Sequence, residues 1–244
     1  MFKVPQEQVS IYVDILIAQT PFHTLIQLAP LTGKTTMLAS IICRYILASK
    51  DLSNSRTLLV SAPTNKAVSV IASKFLRCIQ NDDSIKVALI GDKAELLADN
   101  EEELGKHFVY TYTDQMASHL RRRLKKFDKV EDLQRLSFDT MSKLRQRVPD
   151  ISRFELEKAF QDIAFCIEKN AEEKEMKKAI NKAVGIVRNM DQQQVVKGLL
   201  ETADVIFCTL STSGNMDMTR NAKASDIIID EASASTEAEV LIPL

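Results

Sequence analysis

The chain has 244 residues, 45% of them hydrophobic, which is enough to bury one large core or two modest ones. The charges of its 33 acidic and 32 basic residues nearly cancel, so a nucleic acid would have to bind to a local basic surface. The four cysteines show no C-x-x-C spacing, the N-terminus has no apolar signal core, and no apolar stretch reaches the roughly 20 residues of a membrane span. We therefore expect an intracellular protein of the cytoplasm or nucleus, with no membrane partner.

Five short apolar runs rich in β-branched residues predict buried strands. These runs are Thr24–Gln27, Thr57–Ser61, Lys86–Ile90, Asp204–Cys208 and Asp226–Ile229. Helix-compatible segments follow the first three runs and begin near Lys34, Asn65 and Lys93. Because strands that alternate with helices form parallel sheets covered on both faces, the fold class is predicted to be α/β.

The middle of the chain is nearly free of helix breakers. No glycine occurs between Gly105 and Gly185, and Pro149 is the only proline in that interval. Apolar residues there recur at three- and four-residue spacing, at Met116, Leu120, Leu124 and Phe127 and at Phe160, Ile163 and Ile167. We predict an all-helical insertion over residues 105–200, broken near Pro149, between core segments 1–104 and 201–244. A single coiled-coil arm is the alternative.

A basic run lies within this predicted insertion, at Arg121–Arg123 followed by Lys125 and Lys126. On a helix, such a run usually forms a solvated face. Contact with nucleic acid is the alternative, and a protein partner at the insertion is left open.

The segment Leu25–Thr36, LIQLAPLTGKTT, ends like a phosphate-binding loop. Gly33, Lys34 and Thr35 match the end of the pattern G-x-x-x-x-G-K-[ST], in which the lysine holds β- and γ-phosphates and the hydroxyl ligates Mg²⁺. The free N–H groups of a helix that starts here, including that of Thr36, would face the phosphates. Leu28 occupies the position of the first glycine, so this segment alone leaves a chance match open.

Two carboxylates follow the last apolar run. Asp230 and Glu231 are predicted to lie at the carboxyl edge of the sheet, where α/β proteins bind ligands. Asp230 would hold Mg²⁺, and Glu231 would orient and deprotonate an attacking water. An acidic helix N-terminus without catalytic function is the alternative.

Four segments, in order, resemble the first motor domain of the superfamily 1 helicases that include the nonsense-mediated-decay RNA helicase and senataxin. They are Leu25–Thr36, Ser61–Val68, Ala203–Gly214 (ADVIFCTLSTSG) and Asp230–Leu244 (DEASASTEAEVLIPL). These segments look like the family's L-I-Q-G-P-P-G-T-G-K-T-T, A-P-[ST]-N-x-A-V, A-D-V-I-x-x-T-L-S-x-x-G and D-E-A-S-Q-A-T-E-P-E-x-L-I-P-L. The resemblance implies a RecA-like P-loop NTPase sheet, ATP and Mg²⁺ as cofactors, and single-stranded RNA or DNA as a partner.

The resemblance also implies further site residues. Gln8 matches a glutamine that reads adenine, although an exposed helix residue would look the same. The positions that match nucleic-acid segments are Pro63, Thr64 and Asn65, which would contact the backbone, and Thr209 and Ser211, which would link the ATP site to the bound strand. Backbone contacts carry no sequence preference, and an ordinary helix N-cap at Thr64 or Asn65 is the local alternative.

The sequence departs from the family in the phosphate loop and after the carboxylates. Leu28 and Leu31 replace two glycines, and Ala29 replaces the first of two prolines. If either position requires a left-handed backbone, leucine in place of glycine adds conformational strain of about 1–3 kcal/mol. Ala234 replaces a glutamine that helps to arrange the γ-phosphate region. These departures bear on ATP affinity and coupling rather than on the fold.

The matched segments end with the chain at Leu244. Helicases of this kind hold ATP between two RecA-like domains, and the second domain supplies arginines that stabilise the transferring phosphoryl group. We therefore expect the N-terminal motor domain of an ATP-dependent RNA or DNA helicase, present as a fragment that hydrolyses ATP weakly or not at all without its second domain. A degenerate, non-catalytic module that binds nucleic acid or protein is one alternative, and a P-loop NTPase unrelated to helicases is another.

Overall fold

The computed structural model describes residues 18–20, 23–25, 33–51, 56–80, 82, 84–126, 129–150 and 152–243. Its strands are β1 Ala18–Thr20, β2 His23–Leu25, β3 Thr57–Ala62, β4 Val87–Leu89, β5 Val205–Thr209 and β6 Ala224–Ile229. Its α-helices are α1 Lys34–Asp51, α2 Asn65–Cys78, α3 Lys93–Leu97, α4 Glu101–Leu104, α5 Tyr112–Leu124, α6 Val130–Arg147, α7 Phe154–Glu168, α8 Glu173–Arg188, α9 Gln192–Glu201, α10 Leu210–Ser213, α11 Met216–Asn221 and α12 Glu237–Leu241. Short 3-10 helices span Gly105–His107, Val109–Thr111 and Ala232–Ala234. Within these ranges, no helix has both the length and the apolar character needed to cross a membrane.

Four strands form a parallel sheet in the order β4-β5-β3-β6. Every residue of β3 and β5 is buried, whereas β6 is only half-buried along most of its length. The helix starts predicted near Lys34, Asn65 and Lys93 coincide with the first residues of α1, α2 and α3. The predicted fold class is confirmed, because a parallel sheet flanked by helices is consistent with a RecA-like P-loop fold.

The first predicted strand differs from expectation in its pairing. The run Thr24–Gln27 is expected to join the parallel sheet, but β2 pairs antiparallel with β1, with Ala18 opposite Leu25. Only two residues separate β1 from β2 in the sequence, so their pairing closes a very short loop at a small entropic cost. Among the described strands, β6 is therefore an edge of the four-stranded sheet.

Both faces of the sheet carry a hydrophobic cluster. Helices α1 and α2 cover one face, where the ring centroids of the fully buried Phe75 and Phe207 are 5.6 Å apart. Helix α9 covers the other face, where Val195 and Leu199 pack in one cluster with Ile206. Burial of each such side chain contributes about 1.5–3 kcal/mol, so these clusters hold the strands and helices in place.

Helices α5–α8 pack around a hydrophobic cluster of their own. Helix α5 packs on α8, α8 on α7, and α7 on α6. Leu120, Leu124, Phe160 and Ile163 are buried in this cluster, as their spacing predicts; Phe127 lies outside the described residues. Helix α6 ends at Arg147, just before Pro149. The structure thus has four helices packed around one hydrophobic cluster instead of one coiled-coil arm, and α9, the last helix of the predicted insertion, packs on the sheet.

A largely buried histidine makes the stability of this fold dependent on pH. Burial, with added effects from the charges of Lys106 and Arg147, lowers the pKa of His107 to about 3. Its Nε2 atom has no hydrogen-bond partner in the described part of the chain. An unfolded histidine titrates near its usual pKa of 6.5, so below that pH the unfolded state gains a proton that the folded state does not take up until about pH 3. Stability therefore falls as the pH is lowered between these two values.

His107→Leu is expected to remove this pH dependence. At pH 5, the difference between the two pKa values costs the wild-type fold about 2 kcal/mol relative to pH 7.5. The free energy of urea unfolding, measured for both proteins at both pH values, tests this expectation. An equal loss on acidification in the wild type and the variant would show that His107 is not the responsible group.

Candidate functional site

The carboxyl ends of the parallel strands bring three of the predicted segments to one edge of the sheet. Ala62, the last residue of β3, lies opposite Thr209 at the end of β5. On the other side of β3, Ser61 lies opposite Ile229, and the carbonyl of Ser61 accepts the backbone N–H of Asp230 at 2.9 Å. The turns that follow β3, β5 and β6 are therefore neighbours, because their strands are paired in register.

The two predicted carboxylates leave β6 in a specific backbone geometry. Oδ1 of Asp230 accepts the backbone N–H of Glu231 at 2.9 Å. Glu231 has φ 54° and ψ 31°, which is the left-handed region. Its side chain is exposed at the edge of the sheet. The chain then turns into the short 3-10 helix, where the carbonyl of Glu231 accepts the N–H of the exposed Ala234 at 2.8 Å.

The left-handed backbone at Glu231 does not lie at the end of a helix. The other described non-glycine residues with positive φ are Gln80 and Asn170. These follow the C-caps of α2 and α7, where left-handed residues are common. Glu231 instead lies between a strand and a 3-10 helix, where this conformation costs about 1–3 kcal/mol. Such strain is frequent at functional sites, because it orients a side chain that the fold would otherwise place differently.

The N-terminus of α1 has the features of a phosphate-binding turn. Gly33 has φ 79°, a backbone conformation that favours glycine, and no described residue lies within 4 Å of where its Cβ would be. The carbonyl of Gly33 accepts the N–H groups of Thr36 at 2.9 Å and Met37 at 3.1 Å. Lys34 is exposed, Thr35 is half-buried, and no acidic residue lies in the first turn. An anion would meet free N–H groups and a lysine there without repulsion from a carboxylate.

Contacts at the other end of α1 show that the helix runs opposite to the strands. The hydroxyl of Tyr45 donates to Asp226 near the start of β6, and Nζ of Lys50 lies 3.4 Å from Oδ2 of Asp204, just before β5. From Tyr45 back to Lys34 the helix rises by about 16 Å, and from Asp226 to Asp230 the strand advances by about 13 Å. Lys34 and Asp230 therefore lie at similar heights along the strand direction, both toward the carboxyl edge.

These residues fit a nucleotide with Mg²⁺. Mg²⁺ usually keeps several waters and takes only one or two protein carboxylates together with substrate phosphates. Asp230 and the Thr35 hydroxyl would be a donor set of that limited kind. In the described part of the chain, no group of three or more histidine, cysteine or acidic side chains could form a closed metal site. Gln8, Leu28, Ala29 and Leu31 lie outside the described residues.

The residues predicted to contact nucleic acid after β3 are partly engaged within the protein. The side chain of Thr64 caps α2 by accepting the N–H of Ala67 at 3.2 Å, which is the role of an ordinary N-cap. Asn65 donates its side-chain amide to Glu95 at the start of α3, and its buried Oδ1 has no partner among the described residues. Pro63 is half-buried. The backbone of the turn after β3 lies at the carboxyl edge of the sheet, where a nucleic-acid strand could contact it.

The residues predicted after β5 differ in their accessibility. Thr209 is only 7% exposed, and its hydroxyl caps α10 by accepting the N–H of Thr212 at 3.2 Å. It also shares a hydrogen bond of 2.8 Å with the Thr212 hydroxyl. Ser211, two residues further along, is exposed. The Ser211 side chain is therefore accessible to a ligand, whereas the Thr209 hydroxyl is engaged in capping α10.

One residue near this site was missed by sequence reasoning. Nζ of Lys74, in the middle of α2, donates to Oγ1 of Thr36 at 3.1 Å. This contact adds a second lysine beside the N-terminus of α1. No spacing in the sequence links positions 36 and 74, because their contact follows from the packing of α2 on α1.

Comparison with known families matches this arrangement over nearly the whole chain. A family model described as an AAA domain (AAA_11) matches residues 6–244. That range includes the α1 N-terminus, the turns at the carboxyl edge and the helices between them. The chain therefore belongs to this AAA domain family, a helicase-type branch of the P-loop superfamily.

Proposed function

We propose that this chain is the N-terminal, ATP-binding RecA-like domain of an ATP-dependent RNA or DNA helicase. The observation that carries the proposal is the placement of the α1 N-terminus and of Asp230 and Glu231 toward one edge of the sheet. Family membership supports a helicase-like, nucleotide-binding domain. The four ordered segments support the narrower group that includes the nonsense-mediated-decay helicase and senataxin.

Each residue of the site has a distinct proposed role. ATP with Mg²⁺ supplies the phosphoanhydride bond and neutralises the charge of its phosphates. Lys34 and the free N–H groups at the start of α1, those of Gly33, Lys34 and Thr35, would hold the phosphates, whereas the N–H of Thr36 is bonded to the carbonyl of Gly33. Thr35 and Asp230 would hold the metal, and Gln8 would contact adenine. Glu231 would orient a water molecule and accept its proton, aided by its strained backbone.

The proposal extends to partners and domains. Single-stranded RNA or DNA would be held by its backbone at Pro63, Thr64, Asn65 and Ser211, with Thr209 transmitting changes through α10. We assign 1–104 and 201–244 to the core and 105–200 to an insertion that is open to a protein partner. A second RecA-like domain would supply the arginines for fast hydrolysis, so this chain alone would act weakly or not at all.

Asp230→Asn tests the metal role. The substitution keeps the Oδ1 acceptor for the Glu231 N–H but removes the negative charge that would hold Mg²⁺. In the wild type, Mg²⁺ is expected to increase ATP affinity by about tenfold or more, since charge-assisted contacts contribute about 1.5–3 kcal/mol. The variant is expected to lose that increase. Calorimetric titration of ATP with Mg²⁺ and with EDTA measures the difference.

Glu231→Gln is the matched control, because it removes the neighbouring negative charge without removing a proposed metal ligand. Its ATP affinity is expected to respond to Mg²⁺ as in the wild type. Equal responses in Asp230→Asn and the wild type would contradict the metal assignment. A folded wild-type chain that binds no ATP at all would favour a degenerate module that binds nucleic acid or protein.

A further inference from the structure

The helical insertion contains a cleft between α5 and α6. These helices are consecutive in the chain, but α5 packs on α8 and α6 packs on α7, and the two do not pack closely on each other. The space between them encloses about 260 Å³. Its lining residues recur at three- and four-residue intervals on each helix, so one stripe of α5 faces one stripe of α6.

The cleft has an apolar floor. Leu120 and Leu136, which are 1% and 4% exposed, line it from the two helices. Met116, which is half-buried, and Tyr112, which also packs against the cluster on the sheet, line the cleft along α5. An apolar lining of this kind favours an apolar part of a ligand.

Cations from three elements surround this floor. The cleft is lined by Lys106 from the 3-10 helix Gly105–His107, by Arg123 and His119 from α5, and by Lys143 from α6. Among the described lining residues Asp139 is the one carboxylate, and it lies one helical turn before Lys143; Lys106 and Arg123 also interact with other groups of the protein. Partial burial lowers the pKa of His119, as do the charges of Arg123, Lys143 and Arg122, so positive potential from both helices converges on this imidazole. The cleft therefore attracts anions.

We propose that this cleft binds one nucleotide unit, with its phosphate at Lys143 and the neighbouring cations and its base on the apolar floor. The volume is slightly below the roughly 300–1,000 Å³ of clefts that enclose drug-sized ligands, which suits one ring system with one anionic group. Aromatic and apolar surfaces accept any base by stacking, and the cations fit a phosphate. The Asp139 carboxylate can accept a hydrogen bond from a sugar hydroxyl or a base amino group. The unit is either a free nucleotide or part of a single strand.

This cleft is separate from the proposed ATP site. The insertion joins the sheet at β4, where the Arg147 guanidinium donates to the carbonyl of Val87 at 3.0 Å and Nζ of Lys86 donates to Gln146 at the end of α6. Asp230 follows β6, which is three strand spacings, or about 14 Å, from β4 in the sheet order. The inference therefore does not rest on the ATP site and survives if that site fails.

Lys143→Glu tests the proposal in the full chain. Two probes are used without Mg²⁺: uridine monophosphate, followed by calorimetry, and a fluorescein-labelled ten-nucleotide single strand, followed by anisotropy. Charge reversal is expected to weaken binding by about 10- to 100-fold, as for the loss of a charge-assisted hydrogen bond. Arg145→Glu is the matched control, because Arg145 is also exposed on α6 but does not line the cleft. Lys143→Gln replaces the test variant if charge reversal prevents folding.

The outcomes separate the sources of the nucleotide. Weaker binding of both probes in Lys143→Glu, with Arg145→Glu unchanged, supports a site for the nucleotide unit itself. Weaker binding of the strand alone supports a unit within a single strand, and weaker binding of the monophosphate alone supports a free nucleotide. Binding of both probes that is unaffected by Lys143→Glu, or equally affected by Arg145→Glu, overturns the proposal.

Discussion

Lys34→Ala is expected to abolish Mg²⁺-dependent ATP binding. Lys34 is exposed at the first position of α1, directly after the left-handed Gly33. A phosphate-binding lysine makes charge-assisted hydrogen bonds that contribute about 1.5–3 kcal/mol each, so loss of two of them lowers affinity by about 100-fold or more. Titration calorimetry with ATP and Mg²⁺ measures this loss. Because the side chain is exposed, the unfolding midpoint of the variant should match that of the wild type.

Arg44→Ala is the control for Lys34→Ala. Arg44 is an exposed cation on the same helix, about 15 Å along its axis from Lys34. Its loss changes the net charge by the same amount but should leave ATP affinity unchanged. Nucleotide binding that is indifferent to Lys34→Ala would rule out the assigned phosphate loop.

Gly198→Ala is expected to destabilise the fold by about 1–3 kcal/mol. Gly198 lies within α9, where an added Cβ would be 2.9 Å from Cα of Val148 and 3.1 Å from the carbonyl oxygen of Arg147. Both neighbours are backbone atoms at the end of α6, so they cannot move aside by changing a rotamer. Either α9 or the end of α6 must shift, which disturbs the cluster that covers one face of the sheet. Urea unfolding measures the change in free energy.

Gly185→Ala provides the opposite case on another helix. Gly185 lies within α8, and in the part of the chain that the structure describes nothing lies within 4 Å of its added Cβ. Alanine in a helix interior is more favourable than glycine by about 0.5–1 kcal/mol, so this variant should be slightly more stable than the wild type. If both substitutions changed stability in the same direction, the close packing at Gly198 would not be the cause.

Much of the core follows from local sequence patterns. The runs around Leu59, Ala88, Ile206 and Ile228 are short and apolar, and each forms a strand of the parallel sheet. The starts of α1, α2 and α3 were also predictable, because polar residues that follow an apolar strand favour a turn and a new helix. Asp230 and Glu231 could be placed at the carboxyl edge for the same reason, since they follow a strand whose direction the parallel sheet imposes.

Long-range pairing was less predictable. The run near Leu25 forms a strand, as its composition suggests, but its partner is β1 rather than the parallel sheet. The composition of a strand indicates that it will pair but does not identify its partner, because pairing depends on loop closure and on the alternatives present in the fold. The roles of the Thr64 and Thr209 hydroxyls as helix caps likewise depend on where their helices begin.

Residue types and their spacing were sufficient to predict the α/β class and the helical character of the insertion, and to single out Gly33, Lys34, Asp230 and Glu231 as candidate site residues. These features depend on periodicity and residue type, which are local properties of the chain. The contact between Lys74 and Thr36 and the cleft between α5 and α6 depend instead on tertiary packing. The contact results from the packing of α2 on α1, and the cleft results from the packing of α5 and α6 on other helices. Neither could be predicted locally, because the free energy of helix packing is spread over many contacts that no short segment encodes.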